Sequence, residues 1–448
     1  GSVDCALRDR EGNLWLGVKG KGLFRLSFDP EFRVLETVHY DTSDFFGRLT
    51  DNDVCTLYID RSNVLWVGTR RGVNYADLSQ PNLFTFKPLV DRQLSELGYR
   101  GRHINALFID SRDDLWISTY KEGLYRYDFG TRTLRNVSSE VTSSPVARII
   151  ETRDGSLLFA AREGVYRVRC TASGGVSSRK LRLAGVSPED WQHYRYYIDL
   201  CEDRYGDIWV ATVNGLIRYF SDSGQSVVYT QDYGLASDSP YCLLSDTAAR
   251  TVWVGSSDRG LSRIRYGRRG ESLEVEAIRH GDTPFGLSHD QVWSLLKDSR
   301  GVIWIGTDAG LNRMETAPDG RIVSLERVTL PWLRDAKILA ITEDREGDLW
   351  FNSSQGLYRY QPASGHVRRY IWDDGLQSNT WTEGAAVSDN GWVFVGGING
   401  VNYFNPARFR ENLYSGRPVF TDLKVFNRSV RVGEEYGGRT ILPRSINS

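Results

Sequence analysis

The sequence predicts an all-β protein, a β-propeller of four-stranded blades, and three observations carry that prediction. A phrase of the form Asp-x-x-Gly-x-Leu-Trp-(Leu/Val/Ile)-Gly, followed by Gly-(Leu/Val), recurs about nine times along the 448 residues. Its aromatic slots, Trp15, Trp66, Trp116, Leu158, Trp209, Trp253, Trp304, Trp350 and Phe394, lie 42 to 51 residues apart. Inside each interval, short alternating apolar runs are separated by Asp- and Gly-containing turns. A period of roughly 40–50 residues with several strands per unit is the signature of a propeller, and function in a repeat protein lies in what departs from the repeat.

Each element of the unit has a physical reason. Strand a is apolar and alternating, as in Val54-Cys-Thr-Leu-Tyr-Ile59. The turn after it starts with Asp, which accepts backbone N–H bonds, and usually ends near Gly, which supplies a positive φ. Strand b carries the large aromatic, expected to pack between neighbouring blades. Strand c follows Gly-Leu, and strand d is typified by Gln225-Ser-Val-Val-Tyr-Thr230. The d–a loops often read Gly-Leu-x-x-(Asn/Asp), as at Gly234, Gly286 and Gly375, so Asp238, Asp290 and Asn379 are read as local caps.

Composition narrows the function. The chain carries 56 basic and 57 acidic residues, a net charge of −1, without a basic run. That argues against a nucleic-acid or membrane-surface binder. No apolar stretch approaches the ~20 residues of a membrane span. Without an initiator Met, the chain reads as the soluble part of a longer protein. Cys5, Cys55, Cys170, Cys201 and Cys242 form no C-x-x-C pair and are read as reduced, buried small hydrophobes. The Asp and Gly residues do not follow the EF-hand pattern, and the six histidines lack paired ligand spacing, so no metal and no cofactor is expected. A nucleophile elbow and a phosphate loop are both missing.

At this point the repeats resemble the two-component regulator propeller repeat, known from the periplasmic half of hybrid two-component sensor histidine kinases of Bacteroidetes. The resemblance covers nearly the whole chain, and seven copies keep the tryptophan. The stretch from Gly400 to Asn427 is similar to that family's exit into an immunoglobulin-like domain named for its tyrosines. The resemblance implies seven-bladed propellers. It suggests residues 3–82 as two blades of a first propeller, 83–412 as one seven-bladed propeller and 413–448 as the incomplete start of the immunoglobulin-like domain. The segment Leu83–Pro88 would close the ring as an outer strand and remove both sheet edges. A single nine-bladed ring is the alternative.

Candidate site residues come from subtracting the repeat. In a propeller, the d–a and b–c loops share one face. Trp191, His193, Tyr194, Arg195 and Tyr196 fall in one irregular d–a loop, and Trp332 and Arg334 in another; Trp381 lies beside a third. The b–c loops add Tyr120, Lys121, Arg162, Arg259 and Asp308. Exposed aromatic rings beside Arg, Asp and Asn suit a sugar, whose C–H face packs on a ring while planar polar groups take its hydroxyls. Trp293 and Trp392, within strands, are read as packing residues. With the resemblance, the expectation is a non-catalytic periplasmic ectodomain of a membrane-anchored parent. It would bind an oligosaccharide, signal to a cytoplasmic kinase that controls polysaccharide-utilisation genes, and dimerise through the C-terminal domain. A protein-docking scaffold and a polysaccharide lyase or hydrolase are the other classes weighed.

Overall fold

The computed structural model describes residues 2–42, 49–78, 87–88, 103–129, 131, 133–171, 175–183, 197–281, 286–329, 336–371, 374, 376–389, 391–408, 424–425, 428–436 and 439–440. It is an all-β molecule of short antiparallel sheets and falls into two compact units, residues 1–80 with 410–448, and residues 81–409.

Among the described residues, the larger unit holds seven four-stranded sheets. In six of them the strands follow chain order from inside to outside, each joined to the next by a hairpin. The innermost strands are Ile104–Ile109, Val146–Glu151, Tyr197–Glu202, Pro240–Asp246, Val292–Lys297, Ile338–Glu343 and Trp381–Val387, and each packs on the next. Trp381–Val387 packs in turn against Ile104–Ile109, so the succession of inner strands returns to its start. The outer strand of the last sheet comes from the other end of the unit, where Lys87 pairs with Tyr403 and Pro88 with Asn402. Register along the inner strands is interrupted by a bulge after the first residue, for instance between Val146 and Arg148 and between Val292 and Ser294. Bulges re-aim side chains, and here they set which residues face the ring axis.

The repeated phrase is explained by one recurrent set of hydrogen bonds. In the copy at Asp203, Oδ1 accepts the backbone N–H of Tyr205 at 2.8 Å and of Asp207 at 3.1 Å, while Oδ2 accepts Trp209 Nε1 at 3.0 Å. The same indole-to-carboxylate bond joins Trp15 to Asp9, Trp66 to Asp60, Trp116 to Asp110, Trp304 to Asp298 and Trp350 to Asp344. The Asp is therefore both a turn former and the partner that lets a buried indole N–H stay satisfied. Where the slot loses its tryptophan, the carboxylate goes too: Thr152 precedes Leu158 and Ser388 precedes Phe394. Each turn closes through a left-handed residue, Gly206 and Gly347 at φ 83° and 80°, with Asp113 taking the same conformation at φ 64°.

A second element of the repeat lies on strand c. Opposite Trp116, Trp209 and Trp350 stand Arg126, Arg218 and Arg359. Arg218 lies 5.0 Å from the Trp209 ring and donates to Asp203 at 3.2 Å and Asp207 at 2.9 Å. Burial pushes the Asp207 carboxyl up, and the guanidinium opposes that shift. Only a paired, hydrogen-bonded charge survives such burial.

The smaller unit contains a four-stranded sheet from Val3–Arg8 to Val34–Tyr40 and a three-stranded sheet of Val54–Ile59, Val64–Thr69 and Gly72–Asp77. Its C-terminal part shows two short ladders, Lys424–Val425 with Arg428–Ser429 and Glu435–Tyr436 with Arg439–Thr440. Most of the stretch expected to open an immunoglobulin-like domain lies outside the described residues. Burial of the thiols holds for Cys201 and Cys242, whereas Cys55 is exposed and Cys5 and Cys170 are half-buried. All five are free thiols.

Candidate functional site on the ring axis

A cavity of about 230 Å³ runs between the innermost strands. Six of those strands contribute to it, and its polar lining is Arg148, Asp199, Tyr241, Trp293 and Glu383 with Ser294 and Thr342. Arg148, Asp199 and Glu383 occupy the position two after the start of their strands, Arg148 and Asp199 just past the bulge and Glu383 within the irregular stretch between Trp381 and Ala385, where the sister strands carry Ala106, Cys242, Ser294 and Ala340. The ring therefore places one cation and two carboxylates at one level around its axis.

These groups are fixed by specific contacts. Asp199 Oδ1 lies 3.0 Å from Arg148 Nε and accepts the Leu200 N–H at 2.8 Å, while Oδ2 accepts the Leu243 N–H at 2.7 Å. Burial raises the Asp199 carboxyl above the usual range, and Arg148 with the two amides works against it. The Tyr241 hydroxyl donates to Glu383 Oε1. Burial pushes the Glu383 carboxyl up, against the Tyr241 bond, and Asp199 adds to the rise. Glu383 is an exposed residue of its inner strand and lines the cavity. The Tyr241 hydroxyl is raised by burial and then by Glu383.

Trp293 stands at the side of this cavity with its ring half-exposed. Its edge is locked by Asp308 Oδ1, which accepts Nε1 at 3.1 Å. Lys337 Nζ sits 3.5 Å from the ring centroid and 3.7 Å from Asp308 Oδ1. Tyr241 meets the ring edge-on at 4.8 Å. A fixed indole among a guanidinium, an ammonium, a phenol and carboxylates can stack on an apolar ring face and bind surrounding hydroxyls.

The residues singled out from sequence fare unevenly. Trp191, His193, Tyr194, Arg195, Tyr196, Trp332 and Arg334 lie outside the described residues. Trp381 is corrected: it opens an inner strand, is 3% exposed and packs among Trp350, Leu357 and Val395, so its ring offers no ligand surface. The b–c loops do meet the d–a loops, because Tyr120, Arg162 and Asp308 donate their N–H groups to the carbonyls of His103, Pro145 and Gln291. Of the b–c residues only Asp308 reaches the axial cluster. Tyr120 lies exposed beside His103, with ring centroids 5.5 Å apart, and Arg259 pairs with Asp258 at 3.9 Å. Lys121 and Arg162 do not line the cavity. Capping holds for Asp238 and Asp290, which accept the N–H groups of Gln231 and His280. Trp293, read as packing, does pack against Tyr241 and Lys337, and it also lines the cavity. Its signal was the charge placed inside otherwise apolar strands at Arg148, Asp199 and Glu383.

Sheets that turn on an Asp–Trp lock and succeed one another around a polar axis define a repeat-built β-propeller. The model of the two component regulator propeller family matches three stretches of the chain, residues 48–71, 191–214 and 286–309. A histidine kinase of Formosa agariphila is 23% identical over 291 residues, 53% of this chain and 21% of that protein. The chain thus matches about a fifth of that relative's length. The extracellular domain of a candidate one-component system of B. thetaiotaomicron superposes with a TM-score of 0.59 at 20% identity, covering 96% of this chain and 56% of that one. PorZ, a surface component of the type-IX secretion system of Porphyromonas gingivalis, gives a TM-score of 0.53 at 13% identity over 90% of this chain and 62% of its own. These two likenesses concern the fold.

Proposed function

We propose that this chain is the periplasmic, non-catalytic ligand-sensing part of a membrane-anchored sensor histidine kinase, and that it binds an oligosaccharide at the axial cavity. The observation that carries the ligand class is Trp293, a half-exposed ring held by Asp308 and flanked by Lys337, Tyr241, Glu383 and the Arg148–Asp199 pair. The repeats and the histidine kinase relative support the sensor part of the reading. A cavity of about 230 Å³ lies below the ~300–1,000 Å³ of ligand pockets in general, which suits one sugar ring entering the axis while the rest of the chain lies on the face. We take residues 3–82, 83–412 and 413–448 as the domains, the middle one a closed ring. Signalling to the kinase, control of polysaccharide-utilisation genes and pairing through the C-terminal part belong to the same proposal. A ligand can drive such signalling only through a differential affinity for two arrangements of the protein.

Isothermal titration of the chain against defined oligosaccharides, with Trp293→Ala alongside, tests the reading. Saturable binding to one sugar class that the substitution removes supports it. Binding untouched by the substitution moves the site off the axis, and a silent panel removes the ligand class.

A further inference from the structure

The sheet of Val146–Glu151, Leu157–Ala161, Gly164–Cys170 and Val176–Lys180 differs from the sheets of Trp116, Trp209 and Trp350 at three linked positions. Leu158 replaces the tryptophan, Thr152 the turn aspartate, and Ser156 the second aspartate that binds the strand-c arginine as Asp114, Asp207 and Asp348. Arg167 still stands opposite the slot, across from Leu158, but has lost the indole and the buried carboxylate that turn its counterparts inward. It shares one carboxylate oxygen, Asp154 Oδ2, with Arg169, at 3.3 and 3.4 Å.

The outer strand compounds the change. Arg179 lies directly across from Arg167, as Arg135 does from Arg126 and Arg368 from Arg359, but in those two sheets the strand-c arginine is held by Asp114 or Asp348, and two further sheets place Glu276 and Glu326 opposite Arg263 and Arg313. Like charges facing each other across strands are destabilising unless something neutralises them. Arg182 follows, and among the described residues no carboxylate pairs with Arg179 or Arg182. These four arginines line a groove of about 530 Å³, with Ser177 and Ser178 on one side and Tyr219 and Ser221 of the next sheet on the other. Among the described residues, Asp154 is the one carboxylate paired with any of these four guanidiniums.

We propose that this groove is a second ligand site, for the sulfate or carboxylate groups of an acidic oligosaccharide. Guanidinium forks match both oxyanions bidentately, and the hydroxyls beside them suit the sugar ring that bears the anion. The carbohydrate class rests on the proposed sensor function; the anionic preference rests on the arginines alone.

The test titrates the full chain with sulfated, uronate-bearing and neutral oligosaccharides of equal length, with inorganic sulfate and poly-glutamate as controls. An R179Q/R182Q double variant and Trp293→Ala run alongside. Both arginines are exposed, and circular dichroism checks that the fold is kept. The expected result is binding of the acidic sugars that weakens with salt, falls roughly tenfold in the double variant, and is unchanged by Trp293→Ala. Acidic binding indifferent to the double variant but lost with Trp293→Ala would overturn the groove and leave the sensor reading standing. Arginine-dependent binding of poly-glutamate or sulfate as tight as that of the acidic sugars would overturn the carbohydrate class. Neutral sugars failing to bind, while acidic ones bind through the arginines, would remove the axial reading and keep this one.

Discussion

The sheets around Trp66 and Trp209 share one phrase and one hydrogen bond, yet differ in what surrounds them. Trp66 donates to Asp60 at 2.9 Å and Trp209 to Asp203 at 3.0 Å. Trp66 is 40% exposed and faces Tyr75, itself exposed, whereas Trp209 is fully buried between Tyr229 and Arg218. The phrase therefore dictates the turn and the hairpin, while burial is supplied by whatever packs on the sheet. The titration of the shared carboxylate shows the same division. The Trp66 N–H, with backbone amides, pulls Asp60 below the usual carboxylate range, whereas burial outweighs the same indole bond at Asp344 and raises it.

Substitutions can break this comparison. Trp209→Ala empties a fully buried site and should cost about 3–5 kcal/mol, read as a drop in the denaturation midpoint of the full chain. Trp66→Ala should cost about 1 kcal/mol, because much of that ring already meets water. Equal losses would mean that the Trp66 sheet is covered in solution.

Asp203→Asn comes next. It weakens the partner of a buried indole and a buried guanidinium together, and should cost about 3 kcal/mol. Asp60→Asn should leave the midpoint nearly unchanged, which hydrogen-exchange protection of Val64–Thr69 would check strand by strand.

Glu383 offers a pH test. Its carboxyl is raised in the folded state, so the native protein binds more protons than the unfolded chain between the ordinary and the raised value. Stability should therefore fall as pH rises through that window, and Glu383→Gln should flatten the fall. The smallest effect concerns Asp60 and Asp344 themselves. Carbon-detected carboxyl titration should place Asp60 below and Asp344 above the ordinary aspartate value.

Much of the fold was legible because the repeat is written in residues with local duties. Asp and Gly set the turns, and the 42- to 51-residue spacing of the aromatic slots marks the blades. The arginine of strand c was equally visible, three residues after Gly123, Gly215 and Gly356, but its meaning needs the cross-strand register that places it over the indole. The axial cluster was hidden for a different reason. Arg148, Asp199, Tyr241, Trp293 and Glu383 are spread over more than two hundred positions, and only the ring gathers them. Trp381 shows the converse error, since a loop-side position in sequence became the buried start of a strand.

The axial site is tested most directly by fluorine NMR of the chain labelled with fluorotryptophan, the Trp293 signal being assigned by its loss in Trp293→Phe. On addition of a binding oligosaccharide, the account predicts that the Trp293 signal shifts while those of the buried Trp209, Trp304 and Trp350 stay in place. A stationary Trp293 signal, with that of Trp191 or Trp332 moving instead, would contradict it and put the ligand on the loops.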